Sequence, residues 1–142
     1  MTLPGFITAI DFETTSINNP RATEIGLVAL DLNLEPVATY ETVINPGKPV
    51  NKRSLGVSRL SMEQINSAKP FSAYWPAIHP FINNRILVAH NAQFDNRILT
   101  TEFARLGYSF EKEIVCTVEL SKKLLPDLPS YSLGKLVRSL GI

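Results

Sequence analysis

The sequence predicts an α/β domain in which an antiparallel three-stranded meander is followed by alternating strand and helix. Three apolar, partly β-branched runs of strand length, at residues 6–10, 24–31 and 37–44, are separated by short connections rich in turn residues. Beyond residue 60 the apolar spacing lengthens towards a helical period around one more short strand at residues 86–89. With 142 residues, 44% of them hydrophobic and 19% charged, the chain reads as a single domain, residues 1–142, able to bury a core without staples.

The first strand runs directly into Asp11-Phe12-Glu13. Side chains alternate along a strand, so Asp11 and Glu13 share one face, their Cα atoms roughly 6.6 Å apart, and Phe12 takes the other. That spacing suits two acids grasping divalent cations about 3.5–4 Å apart. A solvated strand end carrying two incidental acids has the same appearance, so this stretch does not decide alone. Residues 16–20, Ser-Ile-Asn-Asn-Pro, form a polar loop, and residues 33–36, Asn-Leu-Glu-Pro, turn the second strand into the third. Residues 48–60 read as a basic loop carrying Lys48, Lys52, Arg53 and Arg59, either plain solvated surface or a contact for phosphates.

Ser61 followed by Gln64 is a capping-box pattern opening a short helix, and residues 71–82 form another, with boundaries blurred by Pro76 and Pro80. Tyr74 and Trp75 are expected to pack in the core and His79 to be structural. After the strand at 86–89 comes His90-Asn91-Ala92-Gln93-Phe94-Asp95. Asn91 is placed as an N-cap, which sets Asp95 in the first turn of the next helix. Phe94, Ile98, Leu99, Phe103 and Leu106 make one apolar stripe of that helix, and both Asp95 and Glu102 fall inside it. A lone carboxylate aimed at a core must be paired, hydrogen-bonded or metal-bound. Either acid could equally meet a buried arginine.

Composition limits the partners. A net charge of +1 gives no ground for bulk attraction to nucleic acid or to a membrane surface, though an enzyme touching a few nucleotides needs none. A single cysteine, Cys116, excludes an intramolecular disulfide, fits a reducing compartment and reads as a small buried apolar residue. No basic leader or long apolar run opens the chain, so the expectation is a cytoplasmic protein without a membrane partner.

Asp11-Phe12-Glu13-Thr14-Thr15, then Glu24-Ile25-Gly26, then His90 to Asp95 resemble the first two motifs of the DnaQ-like (DEDD) 3′–5′ exonucleases. That superfamily includes the proofreading ε subunit of bacterial DNA polymerase III and the ribonuclease T group. Cys116-Thr117 to Leu120-Ser121, and Leu133-Gly134-Lys135-Leu136 through Ile142, resemble its later segments. The resemblance implies a ribonuclease-H-like fold, a mixed five-stranded sheet flanked by helices. It implies two divalent cations, Mg²⁺ or Mn²⁺, held by Asp11, Glu13 and Asp95, with Asp11 bridging both. It also implies substrate contacts from Phe12, Thr14, Thr15, His90, Asn91 and Phe94, and a wedge against the last bases from Val57, in a segment where the family's histidine is Leu55. The implied substrate is the 3′ end of single-stranded DNA, in proofreading or repair, with a DNA polymerase subunit as a partner. Trimming of RNA 3′ ends, as in the ribonuclease T group, is the alternative.

One departure stands against these matches. The family's third motif pairs a general-base histidine with a fourth metal-binding aspartate, or uses a tyrosine variant. No histidine follows His90; Asp127 sits between prolines as a loop acid; and the position four after Tyr131 is Lys135. His90 reads as a structural hydrogen-bonding residue and not as a substitute. The expectation is therefore a domain truncated at its C-terminus relative to the family, with impaired turnover. A nucleic-acid-binding or polymerase-docking module without turnover is the second reading.

Overall fold

The computed structural model describes residues 2–142. Five strands form one mixed sheet: β1 (Ile7–Thr14), β2 (Ala22–Leu30), β3 (Pro36–Val43), β4 (Ile86–Ala89) and β5 (Ile114–Cys116), in the order β3-β2-β1-β4-β5. The meander forms as its short turns require, with β1 antiparallel to β2 and β2 to β3. Strand β4 then runs parallel to β1, Ala9 opposite Val88, and β5 parallel to β4. The parallel registers bring the carboxyl ends of β1 and β4 to the same edge of the sheet, the usual place for a ligand in open α/β folds.

Among the described residues six helices surround the sheet: α1 (Lys52–Ser58), α2 (Met62–Ser67), α3 (Phe71–Ile82), α4 (Ala92–Arg105), α5 (Thr117–Leu124) and α6 (Leu133–Ser139). The buried face of the sheet presents Ile10, Phe12, Ile25, Leu27, Ala29 and Leu87 to Phe71, Ile78 and Phe81 of α3 and to Ile98, Leu99 and Phe103 of α4. Helix α3 is continuous through Pro76 and Pro80, each of which removes an intrahelical N–H. The burial of Phe71, Ile78, Phe81 and Ile82 compensates for those two missing bonds. Trp75, partly buried against the core, stands edge-on to Phe103 and to the exposed ring of His79. The capping box on α2 forms between Ser61 and Gln64.

Three local expectations are corrected. Residues 52–58 are helix α1, not loop: the Asn51 side chain accepts from the Ser54 N–H, and Arg59 in the left-handed region returns its N–H to the Leu55 carbonyl. Such a helix owes its existence to its caps and not to an apolar stripe, which is why periodicity does not reveal it. Asn91 occupies the N-cap position of α4 but is left-handed, φ 69°, and its side chain makes no capping bond. Asn is among the few residues that tolerate this backbone. Cys116 is half-buried, and its Sγ accepts from the Ala92 N–H at 3.4 Å.

The opposite edge is held by Arg85. Its guanidinium donates to the Thr8 hydroxyl and to the carbonyls of Leu3, Pro4, Gly5, Ile7 and Leu30, tying the N-terminal segment to β1 and β2. Gly5 belongs to this knot, with φ +68° and a virtual Cβ only 2.2 Å from the Leu30 carbonyl oxygen. Gly5→Ala combines a strained backbone with a clash against main chain, and is expected to cost at least about 2 kcal/mol. The urea midpoint of unfolding, read at unchanged slope, measures this directly.

Candidate active site

The carboxyl edge of β1 and β4 opens into a cleft of about 540 Å³. Asp11, Phe12, Glu13 and Thr14 come from the end of β1, Ser16, Ile17 and Asn18 from the following loop, Asn51, Arg53, Ser54 and Val57 from α1, and His90, Asn91, Phe94 and Asp95 from the junction of β4 and α4. Of the ten residues singled out in the sequence, nine line this one cleft.

Asp11 and Glu13 lie on the half-open face of β1 while Ile10, Phe12 and Thr14 are buried, as strand alternation requires. Burial raises the Asp11 carboxyl above its usual value, opposed by the Phe12 backbone N–H and the neighbouring His90. Burial and then Asp11 raise Glu13. Asp95 is only 2% exposed, and its Oδ1 has no hydrogen-bond partner among the described residues. Burial first, and Asp11 second, push its carboxyl up to about 7. The other acid of the α4 stripe has a different fate. Glu102, 1% exposed, takes Arg21 in a two-pronged pair, Nε to Oε1 at 2.9 Å and Nη2 to Oε2 at 3.1 Å, and also accepts from the Ala22 N–H. The buried arginine therefore belongs to Glu102, and Asp95 is left without one.

Two further acids join this face. Glu13 pairs with Glu24 across β1 and β2, while Asp11 and Glu41 stand on either side of Gly26. Burial, the Glu41 carboxyl and then Glu13 and Asp11 push Glu24 up to about 7. The sequence shows both glutamates, but only the cross-strand register places them beside Asp11 and Glu13.

The remaining residues divide by what they have left to offer. The ring of Phe12 is in the core, 4% exposed, so it gives the cleft its backbone only. The Thr14 hydroxyl donates to the Ser16 carbonyl. Thr15 does not line the cleft: it is fully buried, its hydroxyl accepts from the Arg21 N–H, and its carbonyl accepts from the Asn51 N–H. Its role is to hold the loop and α1 in place. His90 has both ring nitrogens committed, Nδ1 to the Thr117 hydroxyl and Nε2 to the Tyr131 carbonyl, each at 2.8 Å. Because a carbonyl only accepts, Nε2 carries the proton. Val57, 68% exposed, and half-buried Phe94 supply apolar surface at the cleft wall. Asp127 is an exposed loop acid outside the cleft.

Among the described residues no three His, Cys, Asp or Glu side chains are drawn together into a ready cage for one ion. The donor set nevertheless fits hard divalent cations. It is all oxygen, it contains a buried carboxylate oxygen with no partner among the described residues, and Asp11 raises the carboxyls of both Glu13 and Asp95 as an unneutralised acid does. Ions such as Mg²⁺ take one or two protein carboxylates each and complete their shells with water and substrate phosphate, which needs no three-residue cage.

A mixed β3-β2-β1-β4-β5 sheet with acids at the carboxyl edge of β1 and at the start of α4 defines the class: a ribonuclease-H-like nuclease fold. Sequence comparison defines the family. The exonuclease family model that carries the ribonuclease T name matches residues 8–142, and the chain belongs to that family. It is 32% identical over 136 residues to the PolC-type DNA polymerase III of Thermotoga petrophila, covering 94% of this chain and 10% of that protein. With the PolC-type polymerase of Listeria monocytogenes it shares 27% over 134 residues, 93% of this chain and 9% of that one. The chain thus spans about a tenth of the length of these curated relatives. Among solved structures, exonuclease X in complex with 5′ overhanging duplex DNA superposes with a TM-score of 0.78 at 22% identity, covering 96% of this chain and 74% of that one. A 3′-exonuclease bound to the histone mRNA stem-loop superposes at 0.80 and 14% identity, covering 100% and 72%. Escherichia coli exonuclease I with a dT13 oligonucleotide gives 0.80 at 15%, covering 97% and 36%. At these identities the superpositions establish the fold. No helix of the described residues is long and apolar enough to cross a membrane.

Proposed function

We propose that residues 1–142 act as one exonuclease domain that hydrolyses the terminal phosphodiester at the 3′ end of single-stranded nucleic acid. The observation that carries this reading is the buried Asp95 carboxyl, whose Oδ1 has no partner among the described residues, at the same edge as Asp11 and Glu13. An acid held up to about 7 with no protein cation beside it is a costly feature that a passive module has no need of. Two divalent cations, Mg²⁺ or Mn²⁺, would supply the activated water and the charge compensation on the leaving oxygen. Asp11, Glu13 and Asp95 would hold them, and Glu24 and Glu41 would keep the local potential negative.

The rest of the cleft positions the strand. The Phe12 and Thr14 backbone and the left-handed Asn91 frame the terminal nucleotide, while Val57 and Phe94 give its base an apolar surface. His90 braces the start of α5 and the Tyr131 segment and supplies no free nitrogen. His79, the other histidine, packs against Trp75. Turnover by these 142 residues is accordingly slow, because both ring nitrogens of His90 are committed and His79 does not line the cleft, so neither is placed to take a proton from water there.

DNA is the substrate we favour, in proofreading or repair beside a polymerase subunit in the cytoplasm, in keeping with the PolC-type relatives. The test is degradation of 5′-labelled single-stranded DNA and RNA in parallel, with Mg²⁺ or Mn²⁺. The expected result is a slow ladder shortening from the 3′ end, faster on DNA and absent in Asp11→Ala. A preference for RNA would replace proofreading by RNA end trimming. Equal activity in Asp11→Ala and the parent would remove the site altogether. Tight binding without any cleavage would favour a binding module.

A further inference from the structure

The cleft is a poor receptacle for a polyanion as its acids stand. Cations held by the carboxylates would offset one phosphate, the one being cut, and each further phosphate entering the cleft needs a positive charge of its own. Of the described residues that line the cleft, Arg53 alone carries a permanent positive charge. It is exposed, and among the described residues it forms no salt bridge and no side-chain hydrogen bond; the two ion pairs are Arg21–Glu102 and Lys122–Glu119.

Its main chain, in contrast, is well fixed. The Asn51 N–H donates to the Thr15 carbonyl at 3.0 Å, just beyond the strand that carries Asp11 and Glu13, and the Asn51 side chain caps α1. The Lys48 ammonium donates to the Asn19 carbonyl at 2.8 Å, joining the segment before α1 to the loop that forms the cleft wall. Residues four apart on a helix share a face, so Arg53 and Val57 stand one turn apart on the side of α1 that meets the cleft. A guanidinium beside an exposed apolar side chain offers a nucleotide two complementary contacts, one for its phosphate and one for its base.

We infer that Arg53 anchors a backbone phosphate on the 5′ side of the scissile bond, so that the strand leaves the carboxylate edge across α1. This rests on reading the cleft as a nucleic-acid site, and it adds a binding residue and a direction of travel to that reading. Arg53 is a positioning contact for the strand and takes no part in bond breaking.

The test is fluorescence anisotropy with a short 5′-labelled single-stranded DNA whose 3′-terminal linkages are phosphorothioates that resist hydrolysis. Binding is followed as a function of salt for the parent, Arg53→Ala, Arg53→Lys and Arg97→Ala. Arg97 is exposed on α4 outside the cleft, so its loss changes the net charge equally. Arg53→Ala is expected to bind several-fold more weakly at low salt, with a slope of log K against log salt shallower by about 0.7, the value for one phosphate contact on a single strand. Arg53→Lys is expected to recover most of the slope, and Arg97→Ala to behave as the parent. An Arg53→Ala variant that keeps the affinity and slope of Arg97→Ala overturns the inference and leaves the nuclease reading standing. A parent that does not bind the oligonucleotide overturns both.

Discussion

Asp95→Asn is expected to lose activity by at least about 10²–10³-fold while making the metal-free protein more stable at neutral pH. The loss follows, on the proposed cation-dependent mechanism, from removing a buried carboxylate oxygen that would hold a divalent cation worth several kcal/mol of charge stabilisation. The gain follows from linkage. The Asp95 carboxyl is pushed up to about 7 in the folded chain, against an ordinary 3.8. Between those values the native state binds the proton more tightly than the unfolded chain, so stability falls as pH rises from about 4 to about 7. Above pH 7 the full penalty applies, of the order of 4 kcal/mol at 1.36 kcal/mol per pH unit. Asparagine carries no charge and escapes that penalty, though its amide has the same shortage of partners. A net gain of at least about 1 kcal/mol at pH 8 is therefore expected in the presence of a chelator, shrinking to nothing near pH 4. Melting curves of parent and variant across that range, with and without Mg²⁺, read the effect. Added cation should stabilise the parent and leave the variant nearly unmoved.

Glu102→Ala is expected to be the most damaging substitution on α4, costing about 3–5 kcal/mol. It would leave the Arg21 guanidinium, 14% exposed, without its carboxylate and the Ala22 N–H without its acceptor. The damage would also reach the cleft. The main chain of Arg21 exchanges two bonds with Thr15, its N–H to the Thr15 hydroxyl and its carbonyl from the Thr15 N–H, and Thr15 in turn holds α1 through Asn51. Replacing both partners by apolar residues, Arg21→Met with Glu102→Leu, is expected to recover most of the stability, since no buried charge is then left alone. Urea unfolding of the two single variants and the double variant measures the coupling. A double variant no more stable than Glu102→Ala would show that the pair is not acting as a unit.

What could be read from the sequence depended on how local the cause was. Asp11 and Glu13 were legible because strand alternation is a two-residue rule, and Asp95 because a strand followed by a helix fixes where the first turn points. The choice between Asp95 and Glu102 was not legible: it depends on Arg21, 81 residues from Glu102 in the chain and brought there only by folding. The acidic neighbours Glu24 and Glu41 were hidden for a similar reason, since a one-residue slip in register would send them to the opposite face. Helix α1 was missed because two caps, and no apolar stripe, define it. The placing of Thr15 in the cleft fails for a simpler reason: three backbone and side-chain bonds to Arg21 and Asn51 draw it inward.

The central claim is that Asp11, Glu13 and Asp95 form a divalent-cation site at the carboxyl edge of β1. Titration of the protein with Mn²⁺ at pH 7.5, following the electron paramagnetic resonance of the free ion, tests it without reference to any substrate. The account predicts saturable binding by the parent and at least tenfold weaker binding by Asp95→Asn and by Asp11→Ala. A parent that leaves the free-ion signal unchanged, or variants that bind as the parent does, would contradict it.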